Sequence, residues 1–195
     1  MNAYIFALLL LWGEIVVSQI PLPGSCPDIP PFKNLNLEKY PGNWYEVEKY
    51  FFALEASGTC ISVNYTANHD GTLNTQIRFT ESVSGNKIAF PGKTIFLDPD
   101  TAGSGKTGNM QLTLSIINPY YLQTEVQKTY IYKLIDTDYV NYAIKWSCLP
   151  LMGVHFESVW ILARDVTYPP EVKKLVRDSL AKSKIDTSFL QPSTC

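Results

Sequence analysis

Few residues of this 195-residue chain stand in patterns that could do chemistry. The stretch GSGKTG, 103–108, has the letters of the dinucleotide-binding turn G-x-G-x-x-G. It also nearly matches a phosphate-binding P-loop, but Asp100 replaces that motif's first glycine. Such motifs bind phosphate where they follow a strand and open a helix, whereas the β-like segment NMQLTLSII follows this one. We therefore predict a flexible hairpin connection and no nucleotide site.

Catalytic triads and metal sites find no better support. His69 and His155 lie far apart, and neither stands beside a serine or cysteine in a recognisable nucleophile signature. The neighbouring carboxylates of Asp98 and Asp100 fall in a turn-rich segment, and the cysteines show no metal-binding CxxC or Cys/His spacing. We expect a protein that is not an enzyme, has no metal site and requires no cofactor.

The four cysteines and the N-terminal segment together indicate an exported protein with disulfide bonds. Residues 1–18 contain an apolar block, Tyr4 to Trp12, and end in the small residue Ser18, which is the outline of a signal peptide. The block is shorter than the ~20 residues that span a bilayer. An even number of cysteines in an exported chain predicts two disulfides, for which three pairings are possible. The cysteines are Cys26, Cys60, Cys148 and Cys195.

Charge and length narrow the class of protein further. The formal net charge is −2, and no cluster of lysine or arginine provides the basic surface that nucleic-acid binding requires. Residues 19–195 give room for a single domain with its own core. We therefore expect a secreted, extracellular one-domain protein that does not bind nucleic acid. Its oligomeric state is not determined by the sequence.

A succession of strands must position whatever site the chain has. About eight segments rich in β-branched and aromatic residues follow one another between residues 40 and 166, separated by turn clusters. Eight is the strand number of a small closed up-and-down barrel. In one segment Met110, Leu112 and Leu114 alternate with polar residues, so this apolar set should point inward.

Two further features orient the strands and end the domain. The sequon Asn64-Tyr65-Thr66 predicts a glycan at Asn64, which must lie outside the barrel, so that Ile61, Val63 and Tyr65 point inward. One convincing helix, about 169–183, opens at two prolines and should pack outside the barrel through a stripe of apolar side chains. That stripe comprises Val172, Leu175, Val176 and Leu180.

Three short motifs, in order along this succession of strands, resemble the lipocalin signatures. They are Gly42-Asn43-Trp44 at the first strand, Thr137-Asp138-Tyr139 between two late strands, and Arg164 in WILARD. The segments CISVNYT, WYEVEKY and TDYVNYAIKWSC are similar to the apolipoprotein D and insect bilin-binding branch of that family. The long glycine-rich loop at 101–108 and the segment NPYYLQTEVQ depart from it.

The resemblance implies an all-β, eight-stranded antiparallel barrel with one C-terminal helix outside, closed at one end by Trp44 and Arg164. It implies disulfides between Cys26 and Cys148 and between Cys60 and Cys195, the latter pinning the C-terminal tail. It also implies a secreted carrier of a small hydrophobic ligand, such as a bilin pigment, retinoid, sterol or fatty acid. Family position and alternation together predict that the ligand is lined by Ile61, Val63, Tyr65, Ile77, Phe79, Ile88, Phe90, Met110, Leu112, Leu114, Tyr130, Tyr132, Phe156 and Trp160.

Other interpretations stay open at this point. The same side chains could simply fill a small barrel, which would favour an interaction or structural protein without cargo. A lipocalin-type isomerase would need an activated side chain, and the sequence offers no candidate. Three apolar stretches expected at the open mouth, 51–54, 119–122 and 149–152, suggest contact with a lipid surface or lipoprotein, or alternatively a lid that folds inward.

Overall fold

A closed antiparallel barrel forms the body of the protein. The computed structural model describes residues 20–51, 55, 57–98, 105–117 and 125–195. The predicted signal peptide, the segments 52–54 and 119–122 of the expected rim, and residues 101–104 of the glycine-rich loop lie outside these residues. Eight consecutive strands pair each with the next, and the last pairs back onto the first, which confirms the predicted barrel.

The strands fall where the alternation of side chains predicts them. Their bounds are β1 Ile20–Pro23, β2 Gly42–Lys49, β3 Gly58–Ala67, β4 Leu73–Glu81, β5 Lys87–Phe96, β6 Asn109–Ile117, β7 Glu125–Thr137, β8 Tyr142–Leu151, β9 Val154–Ala163 and β10 Gln191–Pro192. Strands β2–β9 make the barrel. Because β6 begins directly after Gly108, the glycine-rich segment leads into a strand and not into the helix that a nucleotide site would need.

Strand direction separates a closed end from an open end. Strand β2 starts at the closed end, so β3, β5, β7 and β9 end there, whereas β2, β4, β6 and β8 end at the mouth. The segment before β2 covers the closed end, where the Phe32 N–H donates to the Leu134 carbonyl at 2.8 Å and the Leu35 N–H donates to the Lys106 carbonyl at 2.7 Å.

Two short strands that the sequence analysis did not predict extend the sheet. Strand β1 pairs with the first half of β9, from Glu157 back to Val154. Strand β10 pairs with the end of β2. Both occupy stretches of strand edge that the barrel leaves open near the mouth, and edge hydrogen-bonding groups of this kind favour pairing with any extended segment in reach.

The C-terminal helix α1, Pro170–Lys182, packs on the outside of the barrel as predicted. Val172, Val176 and Leu180 are buried against outward-facing apolar residues of β8 and β9. The prediction for Leu175 is wrong, since its side chain is 49% exposed. At 100° per residue Leu175 lies at the border of the buried stripe, and Ser179 takes the inward position. Within the described residues, no helix is both long and apolar enough to cross a membrane.

Candidate functional site

The closed end of the barrel is sealed by Arg164 and Trp44. The guanidinium carbon of Arg164 lies 3.7 Å from the centre of the Trp44 ring, and the indole is fully buried. The indole N–H donates to the Tyr40 carbonyl at 3.0 Å. Arg164 also donates to four backbone carbonyls, at 2.9–3.2 Å. The planar guanidinium of Arg164 lies on the Trp44 ring and at the same time donates several hydrogen bonds. It thereby links the end of β9 to the segment 39–44 and to the turn at Tyr139.

The other residues of the three signature motifs lie around this pair. Gly42 has a φ of +103°, and a Cβ atom there would lie 3.0 Å from the Arg164 guanidinium, so only glycine fits without strain. The Asp138 carboxylate accepts three backbone N–H bonds at 2.7–3.1 Å and closes the turn after β7. Thr137 and Tyr139 complete that turn, and the Tyr139 carbonyl is one of the acceptors of Arg164.

The fourteen residues predicted to line a ligand share the inner face of the barrel by register and alternation. Their burial divides them into two groups. Eight of them are buried: Ile61, Val63, Tyr65, Met110, Leu112, Leu114, Tyr132 and Phe156. The other six point inward but are only partly buried: Ile77, Phe79, Ile88, Phe90, Tyr130 and Trp160.

A lysine lies among these side chains, and the sequence analysis missed it. Lys145 of β8 pairs in register with Leu134 on one side and with Trp160 on the other, both of which face inward. Its residue surface is 8% exposed. The ammonium nitrogen donates to the Tyr65 hydroxyl and lies 5.0 Å from the Tyr65 ring centre and 4.7 Å from the Tyr132 ring centre. The inner wall therefore contains a buried amine.

Tyrosine hydroxyls surround this amine. The hydroxyls of Tyr65 and Tyr132 lie 3.4 Å apart, and that of Tyr40 is buried without a hydrogen-bond partner of good geometry, although Tyr65 is close. The Tyr40 ring stacks at an angle between those of Tyr65 and Trp44, so the group rests directly on the closed end. Burial raises the pKa of all three tyrosines, which therefore keep their protons and can donate.

The charge state of Lys145 is set by burial. Loss of hydration lowers its pKa from 10.5 to about 7, while the more distant carboxylates of Glu55 and Glu46 act in the opposite direction. Among the described residues no carboxylate lies within 4 Å of its amine, because both of these acids are held by Lys49 at 2.8 Å. Ser193 of the C-terminal tail also donates to Glu46, at 2.8 Å.

The pattern of β8 explains why Lys145 was missed. Tyr142, Ile144 and Trp146 form the apolar face of this strand, and such a face is expected to point inward. They instead pack outward beneath helix α1. The register offered a signal: once Trp160 is placed inside, its partner across the β8–β9 pair must also lie inside.

The cysteines agree with the implied pairing in part. Cys26 and Cys148 form a disulfide, which ties the N-terminal arm to β8. The expected bond between Cys60 and Cys195 is absent from the structure, where both residues are thiols. Burial and the neighbouring Cys60 thiol raise the pKa of Cys195 to about 11, and the Cys60 N–H donates to the Thr194 carbonyl at 2.7 Å. Backbone hydrogen bonds therefore hold the tail beside β3 without the covalent link.

The outer surface contributes little further chemistry. Asn64 lies on the outward face of β3, opposite in direction to Val63 and Tyr65, and is partly exposed. Within the described part of the chain no three metal-binding side chains come together. On the described part of the rim, Phe51, Leu149 and Met152 are exposed, with Met152 at 94%.

Comparison with known proteins agrees with this architecture. The family model described as a lipocalin-like domain matches residues 35–194. Apolipoprotein D of Mus musculus is 30% identical over 164 residues, covering 84% of this chain and 78% of that protein. Bilin-binding protein of Pieris brassicae is 28% identical over 167 residues, covering 83% and 79%.

A solved structure, insecticyanin from the tobacco hornworm Manduca sexta, superposes with a TM-score of 0.73 at 22% sequence identity. The match covers 91% of this chain and 89% of that one, and at this identity it supports the fold alone. Because the family model extends over most of the sequence, the chain belongs to the lipocalin-like family.

Proposed function

We propose that the protein is a secreted carrier that holds one small hydrophobic molecule inside its barrel and catalyses no reaction. The observation that carries this proposal is the incomplete burial of several apolar side chains that face the inside of the barrel. Phe79, Phe90 and Trp160 point into the barrel yet keep part of their surface accessible. Apolar surface that is enclosed by a barrel but not covered by neighbours is what an apolar ligand would bury.

The closed end supports the same function. Since Trp44 and Arg164 seal one end, a ligand would enter and leave through the mouth, where β2, β4, β6 and β8 end. An eight-stranded barrel holds one small ligand at most. Relatives include a protein named for bilin binding, so a bilin pigment is one candidate cargo, beside retinoids, sterols and fatty acids.

The first experiment is an absorption spectrum and a native mass spectrum of the protein purified from its own source without organic solvent. Visible bands with a matching added mass indicate a pigment carrier, and a colourless protein with added lipid mass indicates lipid transport. A bare protein that also takes up no retinoid, bilin or fatty acid would overturn the carrier proposal in favour of an interaction protein with a filled barrel.

Secretion and glycosylation are parts of the same proposal. The Cys26–Cys148 disulfide suits an oxidising compartment, and the first eighteen residues have the pattern of a signal peptide. Expression in insect or mammalian cells should place the protein in the medium, with a mass that falls on treatment with a peptide N-glycosidase. In the variant Asn64→Gln that enzyme should change nothing.

We further propose that the rim touches lipid surfaces while ligand is loaded. Met152, Leu149 and Phe51 expose apolar side chains at the mouth, and such groups favour a membrane or lipoprotein surface when they cluster. Liposome flotation should fall when all three are replaced by serine. Flotation that is unchanged, or equal to that of a variant with serine at Val140, which is exposed at the closed end, would contradict this role.

A further inference from the structure

The barrel interior contains an unmatched cluster of hydrogen-bond donors. Lys145 donates to Tyr65, Tyr65 contacts Tyr132, and the buried Tyr40 hydroxyl has no partner of good geometry. Among the described residues, the acceptors that the contacts show for this group are hydroxyl oxygens, those of its own members and that of Thr94 beside Tyr132. Burial keeps the three tyrosines protonated, so an additional acceptor is what this group lacks.

No carboxylate among the described residues fills that role. Glu46 and Glu55 are the acidic groups that act on Lys145 from β2 and from the β2–β3 connection, but Lys49 binds both of them. A buried amine is normally paired with an anion, since isolated burial is costly. The missing partner would therefore come from outside the chain.

We propose that the cargo is an apolar molecule with one carboxylate, and that it enters head first so that its carboxylate reaches Lys145, Tyr65 and Tyr132 above the closed end. This inference rests on the proposed carrier function and specifies its ligand class. The apolar body then lies towards the mouth, against Phe79, Phe90 and Trp160. Two oxygens with about four acceptor sites match an ammonium and several hydroxyl donors.

A carboxylate placed beside Lys145 should change the protonation of its amine. The pKa of Lys145 is about 7 in the empty barrel, so half of the molecules hold an ammonium at that pH and the entering carboxylate favours the charged form. Binding of an acid should therefore take up protons. The titratable groups that face the amine are Tyr40 before β2, Glu46 and Lys49 on β2, Glu55 before β3, Tyr65 on β3, and Tyr130 and Tyr132 on β7.

The test compares cis-parinaric acid, a fluorescent polyene acid, with its uncharged methyl ester on the full delipidated protein. At pH 7 the wild type should bind the acid at least about tenfold more tightly than the ester, which is the effect expected of a charge-assisted hydrogen bond. In Lys145→Met the two affinities should become equal while ester binding persists. The control Lys93→Met, an exposed lysine on the outer face of β5, should behave like the wild type.

A pH series provides a second measurement. Between pH 7 and pH 9 the protonated fraction of Lys145 falls from one half to about one hundredth, so acid binding should weaken by up to about fifty-fold in the wild type. Ester binding should stay constant, as should acid binding by Lys145→Met. The variant Tyr132→Phe, which keeps the ring and removes one donor, should lose part of the preference for the acid.

The outcomes separate the two proposals. Equal affinity for acid and ester in the wild type would overturn the carboxylate site and leave the carrier function standing. Preference for the acid that survives in Lys145→Met would overturn the assignment to this residue. Failure of both probes to bind would count against the carrier function itself. Circular dichroism of each variant confirms that the barrel is intact.

Discussion

Replacement of Lys145 by methionine should stabilise the empty protein, by an amount that depends on pH. Burial holds the pKa of Lys145 at about 7, against 10.5 in the unfolded chain. Between these values the unfolded chain binds a proton that the folded chain does not, so stability rises with pH across this window. Below pH 7 the full cost of the buried charge applies.

The size of the effect follows from the same two values. At about 1.4 kcal/mol per pKa unit, Lys145 costs about 4 kcal/mol at pH 7 and about 2 kcal/mol at pH 9. Methionine removes this cost but also the hydrogen bond to Tyr65 and the contacts with the two rings, which together contribute about 2 kcal/mol. The variant should therefore be about 2 kcal/mol more stable than the wild type at pH 7 and nearly equal to it at pH 9.

Urea denaturation at pH 7, 8 and 9, followed by tryptophan fluorescence, measures this difference. Glu46, whose pKa is raised by burial, titrates in both proteins, so its contribution largely cancels when the two are subtracted. Lys93→Met should stay within about 0.5 kcal/mol of the wild type throughout, as surface substitutions do. A Lys145→Met variant less stable than the wild type at pH 7, or a difference that does not change with pH, would refute the reasoning.

Three further predictions concern the closed end and the tail. Arg164→Met should lower the free energy of unfolding by about 3 kcal/mol, because four carbonyls lose their donor; an unchanged urea midpoint would contradict this. Gly42→Ala should cost about 2 kcal/mol through its positive φ and its crowded Cβ, and clearly more than Gly85→Ala, where the space is open. Oxidised glutathione should join Cys60 to Cys195, seen as the loss of two hydrogens by mass spectrometry and a higher melting temperature; two thiols that stay free would contradict the pairing.

Much of the barrel follows from local patterns of side chains. In β6, Met110, Leu112 and Leu114 alternate with polar residues, and only one placement buries the apolar set. The closed end was predicted through the resemblance to the lipocalin signatures, and the structure gives the physical reason for two of these residues: Gly42 has a positive φ, and Arg164 lies on the Trp44 ring. Alternation is local in the sequence and can be inferred without coordinates, whereas the contact between Trp44 and Arg164 cannot be inferred from either residue alone.

Features that depend on contacts between segments distant in the sequence could not be predicted from local patterns of side chains. Strands β1 and β10 are short and contain proline, and they pair because β9 and β2 leave edge groups open near the mouth. The strand β8 is apolar outward because helix α1 covers it, and no periodicity within the strand reveals which face a distant helix will cover. Leu175 was misplaced for a related reason, since the width of the buried helical stripe is set by the barrel beneath it.

Lys145 breaks the rule that inward-facing positions of a barrel strand are apolar. Closing the barrel does not require a lysine at this position. An apolar side chain at this position would satisfy alternation and core packing, and it would spare the fold a buried charge. Departures of this sort concentrate at functional sites, where stability is lowered in the service of binding. A carrier that is strained when empty is relieved when an anion enters, so the same amine that lowers stability adds to the selectivity and the proton dependence of binding. Folding and ligand recognition would then be coupled through one residue, which is why the stability and binding experiments on Lys145→Met must agree in their dependence on pH.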